Sequence, residues 1–223
     1  MEQILDGVFE VAVGFVNVHL VVTDDGVVLV DTGLPRRTAR IEQALHDARR
    51  TVGDIRTILL THRHPDHVGG VAHLRERSGA RVVAHAADVP AITGERAVPP
   101  RGIQHLTALF VRTAAFSPVD DVLTADGPAP AAGFTAVHTP GHTPGHVSYL
   151  LDRGGGVLFA GDAAAGGRNG RIRRTPRMFN ADDAAAAASA KRLAGLRFDV
   201  AVFGHGRPVR GGAADRFREF AGR

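Results

Sequence analysis

Hydrophobic residues in the first half of the chain follow two different periods. Short runs rich in valine, isoleucine and leucine have the length of strands and are separated by turns and polar loops. These runs predict strands at 8–18, 19–23, 27–30, 55–60 and 81–84. Two helices are predicted between them, at 37–50, where Ile41, Ala44 and Leu45 recur at helical spacing, and at 66–77. The first half therefore joins a β-meander to alternating helices and strands.

The second half repeats this mixture of elements. Strands are predicted at 134–137, 146–151, 157–160 and 198–203. An alanine-rich segment that ends near Ala194 predicts a helix, with Asn180 as its N-terminal cap and Asp183 favouring its positive end. We expect the proline-interrupted segment 86–121, with a candidate helix at 104–113, to cover the functional site. The order of elements predicts an α/β (α+β) fold in which two sheets are sandwiched between helices.

Composition narrows the functional classes. With 223 residues, 44% of them hydrophobic, the chain is expected to form a single domain over 1–223. The absence of cysteine excludes disulfides and thiolate ligands, so any metal must be held by nitrogen and oxygen. No apolar run approaches the ~20 residues of a membrane helix, and no basic leader is present, which predicts a cytoplasmic protein without membrane partners. The net charge of +4 is too small to indicate nucleic acid as a partner.

Potential metal ligands follow four of the predicted strands. His62, His142, Asp162 and His205 each come shortly after an apolar run. Because loops at strand ends of layered α/β proteins face a common edge, ligands from distant parts of the chain can converge there. The densest segment is 61–70, where three imidazoles and one carboxylate occur within six residues: His62, His64, Asp66 and His67. Such a set is costly to bury without a partner, but it offers the nitrogen and oxygen donors that zinc prefers.

The pattern His-x-His-x-Asp-His after a buried strand resembles the signature of the metallo-β-lactamase superfamily. The resemblance continues along nearly the whole chain, in the family's order, at Asp31-Thr32-Gly33, Thr139-Pro-Gly-His142-Thr-Pro-Gly-His146, Gly161-Asp162 and Gly204-His205-Gly206. It implies a four-layer αββα sandwich of the metallo-β-lactamase type. Asp31 is expected to brace a loop by hydrogen bonds, and His146 to support the site rather than bind metal.

Residue by residue, the resemblance implies a centre with two divalent metal ions. The two ligand sets are His62, His64 and His142 for one metal and Asp66, His67 and His205 for the other, with Asp162 bridging them. Two metals that share a water lower its pKa, and the bridging hydroxide would be the nucleophile. Asp66 would also act catalytically by orienting that hydroxide. Zn²⁺ is the expected metal, and iron and manganese are alternatives that accept the same donors.

Within the superfamily, the bridging position separates branches. The dizinc β-lactamases that resemble this chain lack an aspartate there, so Asp162 argues against β-lactam hydrolysis. The repeated Thr-Pro-Gly-His and Asp162 are more similar to glyoxalase II, a hydroxyacylglutathione hydrolase, and to the lactonases that open acyl-homoserine lactones. Glyoxalase II carries a C-terminal extension that holds glutathione, whereas this chain ends 18 residues after His205. The resemblance therefore implies a hydrolase that attacks the carbonyl of a small thioester, lactone or ester, without the glutathione clamp.

An arginine cluster leaves alternatives open. Its members within ten residues are Arg168, Arg171, Arg173, Arg174 and Arg177. They can form a solvated loop, or Arg173 and Arg174 can draw a carboxylate or phosphate of a small-molecule substrate towards the metals. The cluster also supports a phosphodiesterase or nuclease of the same fold, and a non-catalytic, ligand-sensing metal protein is a further alternative. The sequence leaves open the substrate, the oligomeric state and the conformations of 86–121 and 163–179.

Overall fold

The computed structural model of the protein describes residues 1–96 and 115–222, and the helix predicted at 104–113 lies outside them. Seven strands form the first sheet in the order of the chain. They are β1 (Glu2–Leu5), β2 (Val8–Val13), β3 (Val16–Thr23), β4 (Gly26–Val30), β5 (Ile55–Leu59), β6 (Arg81–His85) and β7 (Asp121–Leu123). β1 to β4 form the predicted antiparallel meander, and β4 to β7 are parallel. β1 and β7 were not predicted.

The second sheet contains six strands in the order β15-β14-β11-β10-β9-β8. Its strands are β8 (Gly127–Pro128), β9 (Phe134–His138), β10 (Val147–Leu151), β11 (Val157–Phe159), β14 (Val200–Val202) and β15 (Val209–Arg210). β11 and β14 pair in parallel, and the other neighbours are antiparallel. A separate hairpin joins β12 (Ala165–Gly166) to β13 (Ile172–Arg173).

Six helices are described. They are α1 (Ala39–Asp47), α2 (Pro65–Val68), α3 (Val71–Ser78), α4 (Val89–Ile92), α5 (Asp183–Ala194) and α6 (Ala213–Ala221). Single 3₁₀ turns occur at Val52–Asp54, Arg168–Gly170 and Arg177–Phe179. Within the described residues, no helix is both long enough and apolar enough to cross a membrane.

Three groups of buried side chains separate four layers. The first group joins α1 and α3 to the outer face of the first sheet, the second lies between the two sheets, and the third joins α5 and α6 to the second sheet. Neighbouring strand residues belong to different groups because side chains alternate across a strand. Leu29 packs against the helices whereas Val28 lies between the sheets, and Leu158 and Phe159 divide in the same way. The predicted αββα sandwich is therefore confirmed.

Two predicted elements are interrupted by glycine. The run 8–18 is not one strand, because Gly14, at a φ of 74°, turns the chain between β2 and β3. The helix predicted at 66–77 is divided into α2 and α3 at Gly69 and Gly70. A Cβ at Gly70 would lie only 2.8 Å from the carbonyl oxygen of Thr32, so glycine lets the 32–35 loop approach the start of α3.

A further correction concerns the N-terminus of α5. Asp182, rather than Asn180, caps this helix, since its carboxylate accepts a hydrogen bond from Ala185 N at 2.9 Å. Asn180 is turned instead towards His142. The C-terminal helix α6 was not predicted, although Ala213, Phe217 and Phe220 are buried at helical spacing.

Candidate metal centre

The candidate ligands all follow strands and meet at one edge of the two sheets. The chain leaves β5 at Leu59 and enters α2 through His62 and His64, and Pro65 at the first helical position places Asp66 and His67 in the first turn. His142 lies between β9 and β10. Asp162 and His205 each lie three residues beyond a strand, and those strands pair in parallel with Phe159 opposite Val202. The register therefore brings these two side chains to equivalent positions.

Three imidazoles form the first half of the site. His62 Nε2 lies 3.1 Å from His64 Nδ1, which lies 2.9 Å from His142 Nε2. Burial, followed by the neighbouring histidines, lowers the pKa of His62 well below its usual value, and burial together with His142 lowers the pKa of His64 to about 3. Burial also lowers the pKa of His142. These three side chains are therefore neutral, and their facing nitrogens offer lone pairs to a common point.

The second half of the site combines Asp66, His67 and His205. Asp66 Oδ2 lies 3.8 Å from His67 Nε2 and 3.4 Å from His205 Nε2. Asp162 lies between the two halves, because its Oδ1 is 3.5 Å from His67 Nε2 and its Oδ2 is 3.3 Å from both His142 Nε2 and His205 Nε2. The structure thus brings all seven predicted residues together.

Charge in this second half is balanced within the site. Burial alone would raise the pKa of Asp66 and Asp162, but His67 and His205 lower that of Asp66 to about 2 and that of Asp162 well below its usual value. Conversely, burial would lower the pKa of His67 and His205, but the surrounding carboxylates raise these values to about 9 and about 11. The metal-free site therefore holds ionised carboxylates beside two protonated imidazoles.

The outward nitrogen of four histidines is held by a hydrogen-bond acceptor. His67 Nδ1 donates to Asp31, His142 Nδ1 to Asn180 Oδ1, and His205 Nδ1 to the carbonyl oxygen of Phe15. Thr61 Oγ1 gives its own proton to Asp31 and so accepts from His62 Nδ1. With Nδ1 protonated in each ring, Nε2 is the atom that can bind a metal, an arrangement common around metal-ligating histidines.

Asp31 organises the segment that carries these histidines. Its Oδ1 accepts from Thr61 N at 2.8 Å, and its Oδ2 accepts from Thr61 Oγ1 at 2.7 Å and from His67 Nδ1 at 2.8 Å. Its backbone has a φ of 62°, a conformation that costs an ordinary residue about 1–3 kcal/mol. The neighbouring Thr32 donates its hydroxyl to the carbonyl oxygen of His67 at 2.9 Å. The Asp31-Thr32-Gly33 loop therefore holds both the ring and the backbone of His67.

His146 supports the site from behind. Its Nε2 accepts a hydrogen bond from the backbone N–H of Asp162 at 2.9 Å and has no lone pair left for a metal. Its Nδ1 lies 2.8 Å from Thr139 Oγ1, which lies 3.0 Å from Ser148 Oγ, and Ser148 donates to the carbonyl oxygen of Ala160. This chain of hydrogen bonds fixes the backbone on both sides of Gly161 and hence the position of Asp162.

Two observations test whether a cation fits among these side chains. Within the described residues, His67 Nε2 and Asp162 Oδ1 are buried without a hydrogen-bond partner, an arrangement that costs free energy unless another group binds them. Glycine at position 204 keeps any side chain away from both residues, since a Cβ there would collide with the Asp162 carboxylate and lie 2.6 Å from His67 Cε1. The imidazole and carboxylate donors, these two unpaired atoms and the lack of a side chain at Gly204 fit divalent metal ions.

Asp88 is a site residue that the sequence did not reveal. Its buried carboxylate accepts from Arg63 Nη1 at 2.6 Å and Arg63 N at 3.1 Å, from Thr143 Oγ1 at 2.6 Å and from Gly145 N at 3.1 Å. It thereby connects the segment of His62 and His64 to the segment of His142. No motif surrounds Asp88 in the sequence, and this role depends on contacts 25 to 57 residues away.

The predicted substrate-binding pair Arg173 and Arg174 is divided by the structure. Arg173 lines a cavity with Gly206 and Arg207, whereas Arg174 lines a different cavity against α5 that includes Asp162 and Asn180. Within the described residues, neither arginine forms a hydrogen bond or ion pair with the seven candidate ligands. Although the two arginines are adjacent in sequence, they therefore line different cavities.

Comparisons with known proteins agree with this geometry. The model of the Metallo-beta-lactamase superfamily matches residues 11–205. The Probable metallo-hydrolase YflN of Bacillus subtilis (strain 168) is 29% identical over 206 residues, and the match covers 82% of this chain and 76% of the relative. The Hydroxyacylglutathione hydrolase of Marinomonas sp. (strain MWYL1) is 31% identical over 162 residues, which cover 71% of this chain but only 49% of the relative.

A solved structure supports the same assignment. The Rm3 metallo-beta-lactamase is 27% identical, with a TM-score of 0.71, over 92% of this chain and 77% of that protein. The family model spans most of the chain, including every candidate ligand from His62 to His205. The four layers are those that the resemblance implied, and the seven candidate ligands lie together at one edge of the two sheets. The chain therefore belongs to the metallo-β-lactamase superfamily and is a metallo-hydrolase of that fold.

Proposed function

We propose that the protein is a binuclear metal-dependent hydrolase of a carbonyl ester-type bond in a small thioester, lactone or ester. The observation that carries this proposal is the pair of ligand groups that share one carboxylate. His62, His64 and His142 would hold one ion, Asp66, His67 and His205 the other, and Asp162 lies within 3.5 Å of a nitrogen from each group. A purely structural site needs only one closed set of ligands. Zn²⁺ is the first candidate for both positions.

The bound metals would act as Lewis acids and would lower the pKa of the water that attacks the carbonyl. The chain's own residues orient that water. Asp66 is ionised, partly exposed and directed at the centre, so its carboxylate can accept a hydrogen bond from the water and later receive a proton. His67 and Asp162, in contrast, are buried and would keep their places through the reaction.

The exposed side of the site indicates where a substrate approaches. His64, Asp66 and His205 are partly exposed, whereas the remaining candidate ligands are buried. Phe15 stands beside this opening, 66% exposed, with its ring stacked 5.9 Å from that of His205. An apolar group of the substrate can pack on this ring while its carbonyl reaches the centre.

Two considerations favour an ester-type bond. Several relatives are named hydroxyacylglutathione hydrolases, and the match to them covers about half of this chain or more. The aspartate at the bridging position argues against β-lactam hydrolysis, although β-lactamases are among the proteins with the same fold. We propose that Asp162 places the protein with the thioesterase-like and lactonase-like members.

A substrate panel tests this proposal. The purified protein, with its metal content measured, is assayed on a thioester, a lactone, a simple ester, a phosphodiester and a β-lactam, with and without chelator. We expect chelator-sensitive turnover of one acyl class, lost in the variant His62→Ala/His64→Ala and retained in the exposed control His46→Ala. Turnover of the phosphodiester or β-lactam alone, or activity that survives in the double variant, would refute the proposal.

A further inference from the structure

A second group of charges lies beside the candidate metal centre. The hairpin β12–β13 and the segment after His205 line an open cavity of about 560 Å³. Four arginines line it, namely Arg168, Arg171, Arg173 and Arg207. No described Asp or Glu lines this cavity, and no ion pair joins these arginines to any carboxylate of the described chain. The cavity therefore holds four positive charges with no carboxylate among the residues that line it.

The hairpin directs its arginines to one side. Arg171 and Arg173 stand on either side of Ile172, which is buried, so both side chains face away from the core. Across the hairpin the partners are small, because Ala165 pairs with Arg173 and Gly167 N donates to the carbonyl oxygen of Arg171 at 2.7 Å. Small partners leave room between the guanidinium groups for a ligand.

Backbone contacts at Gly166 and Gly206 connect this cavity to the segment that carries His205. Gly166 N donates to the carbonyl oxygen of His205 at 2.9 Å, and Arg207 N donates to the carbonyl oxygen of Gly166 at 3.4 Å. A Cβ at either Gly166 or Gly206 would collide with the backbone of the other segment, and Gly206 has a φ of 93°. The floor of the cavity is thus close-packed backbone that continues directly from a candidate metal ligand.

The chemistry of this cavity matches a multiply charged oxyanion. Guanidinium groups that converge without counter-charge repel one another, and a ligand with several negative charges relieves this repulsion. Arginine forms paired hydrogen bonds with phosphate oxygens, which a phosphate dianion offers on several sides. The cavity is open to solvent and larger than one phosphate group, so a phosphate bound there can be part of a larger molecule.

We propose that the cavity binds the phosphate-bearing part of the substrate, so that the enzyme hydrolyses an acyl thioester or ester whose thiol or alcohol carries phosphate. This inference rests on the proposed acyl-hydrolase function. In the reaction, water adds to the acyl carbon and the C–S or C–O bond breaks. The products are a carboxylate, a proton and the phosphate-bearing thiol or alcohol, which stays in contact with the arginines until release.

A matched pair of thioesters tests the role of the cavity in substrate choice. Acetyl-coenzyme A carries phosphates on its thiol part, and S-acetyl-N-acetylcysteamine is the uncharged end of the same molecule. We expect kcat/KM to favour the phosphorylated thioester by at least about 10-fold in the metal-loaded protein, as two or more charge-assisted contacts would give. In Arg168→Gln/Arg171→Gln this ratio should fall to about one. The control Arg36→Gln/Arg40→Gln, which removes the same charge from exposed positions near α1, should keep it.

A binding measurement separates the cavity from turnover. Adenosine 3′,5′-bisphosphate is titrated calorimetrically into the metal-loaded wild type and both variants. We expect binding that weakens at least about 10-fold in Arg168→Gln/Arg171→Gln only. Equal affinity in all three proteins would overturn the assignment of the cavity. Retained, arginine-dependent binding with no hydrolysis of any thioester, lactone or ester would overturn the acyl-hydrolase function but not the phosphate site. Tighter, arginine-dependent binding of single-stranded RNA would replace the small molecule with a nucleic acid.

Discussion

At the scale of single residues, Asp31 is the side chain on which the position of His67 most directly depends. The variant Asp31→Asn preserves size and tolerates the positive φ, but its amide nitrogen cannot accept hydrogen bonds. Since both carboxylate oxygens of Asp31 accept, one donor from Thr61 or His67 must then face another donor. We expect metal affinity to fall roughly 10- to 100-fold, measured by competition with a chromophoric chelator.

The control for this prediction is Asp47→Asn on the exposed surface of α1. It makes the same chemical change away from the site, and we expect wild-type affinity. Should Asp31→Asn also bind metal with wild-type affinity, the full set of hydrogen bonds that Asp31 accepts from Thr61 and His67 would not be needed for metal binding.

Protons and metals compete for the same nitrogens. Carboxylates raise the pKa of His67 to about 9 and that of His205 to about 11, so both rings are protonated at neutral pH in the metal-free protein. Because a metal binds only the deprotonated ring, loading at pH 7.5 should release about two protons from these residues, and affinity should increase with pH. A pH indicator in weakly buffered solution measures the release. Loading without proton release would contradict the raised pKa values.

The same pKa values predict how the stability of the metal-free protein depends on pH. Both values lie above the usual histidine value of 6.5, so the folded state binds these protons more tightly than the unfolded state does. The resulting stabilisation is complete below pH 6.5 and decreases as pH rises through about 9 and about 11. Urea unfolding of chelator-treated protein between pH 6 and 10 should therefore show a decreasing free energy of unfolding, and no decrease in His67→Asn/His205→Asn.

The residues of the centre differ in how far the sequence reveals them. The positions of His62, His64, Asp66 and His67 could be predicted because they form one dense motif after a buried strand. Asp88 could not, because a lone carboxylate gives no local signal and all of its partners are distant in sequence. The interaction of Asn180 with His142 was missed for a related reason, since its position before a helix favoured a cap.

At the scale of elements, α5 offers a way to separate stability from metal binding. Asp182→Ala removes the cap hydrogen bond to Ala185 N and should cost about 1 kcal/mol of stability while metal affinity remains. Asn180→Ala removes the acceptor of His142 Nδ1 and should reduce metal affinity roughly 10-fold with little loss of stability. Chemical denaturation and chelator competition on both variants check this. An Asn180→Ala protein with lower stability and unchanged affinity would restore the cap role that the sequence favoured.

Element boundaries show where periodicity is informative. The apolar runs of β4, β5, β10 and β11 could be predicted because these strands are buried on both faces. The break between α2 and α3 could not, since it depends on the approach of the 32–35 loop to Gly69 and Gly70. Short edge strands such as β7 and β8 bury too few residues to produce a pattern.

At the scale of the whole molecule, the centre connects the two sheets. His62, His64, Asp66 and His67 follow the first sheet, whereas His142, Asp162 and His205 follow strands of the second. Tyr149 makes a similar connection without metal, because its buried hydroxyl donates to the carbonyl oxygen of Leu60 at 2.9 Å across the interface. Metal bound at this edge would therefore oppose separation of the two halves.

Metal loading should accordingly stabilise the entire fold. A ligand present at about 1,000 times its Kd adds about 4 kcal/mol to the free energy of unfolding, and a protein of this size gains roughly 2–4 °C in Tm per kcal/mol. We expect Tm, measured by calorimetry, to rise by about 10 °C on loading and to return on chelation. Asp162→Asn, which removes a charge from the ligand shared by both sets, should show a clearly smaller rise, whereas the exposed control Asp152→Asn should match the wild type. A metal held by ligands from both sheets must be lost before the two sheets separate. An equal Tm with and without bound metal would therefore mean that no common ion joins the ligands of the first sheet to those of the second.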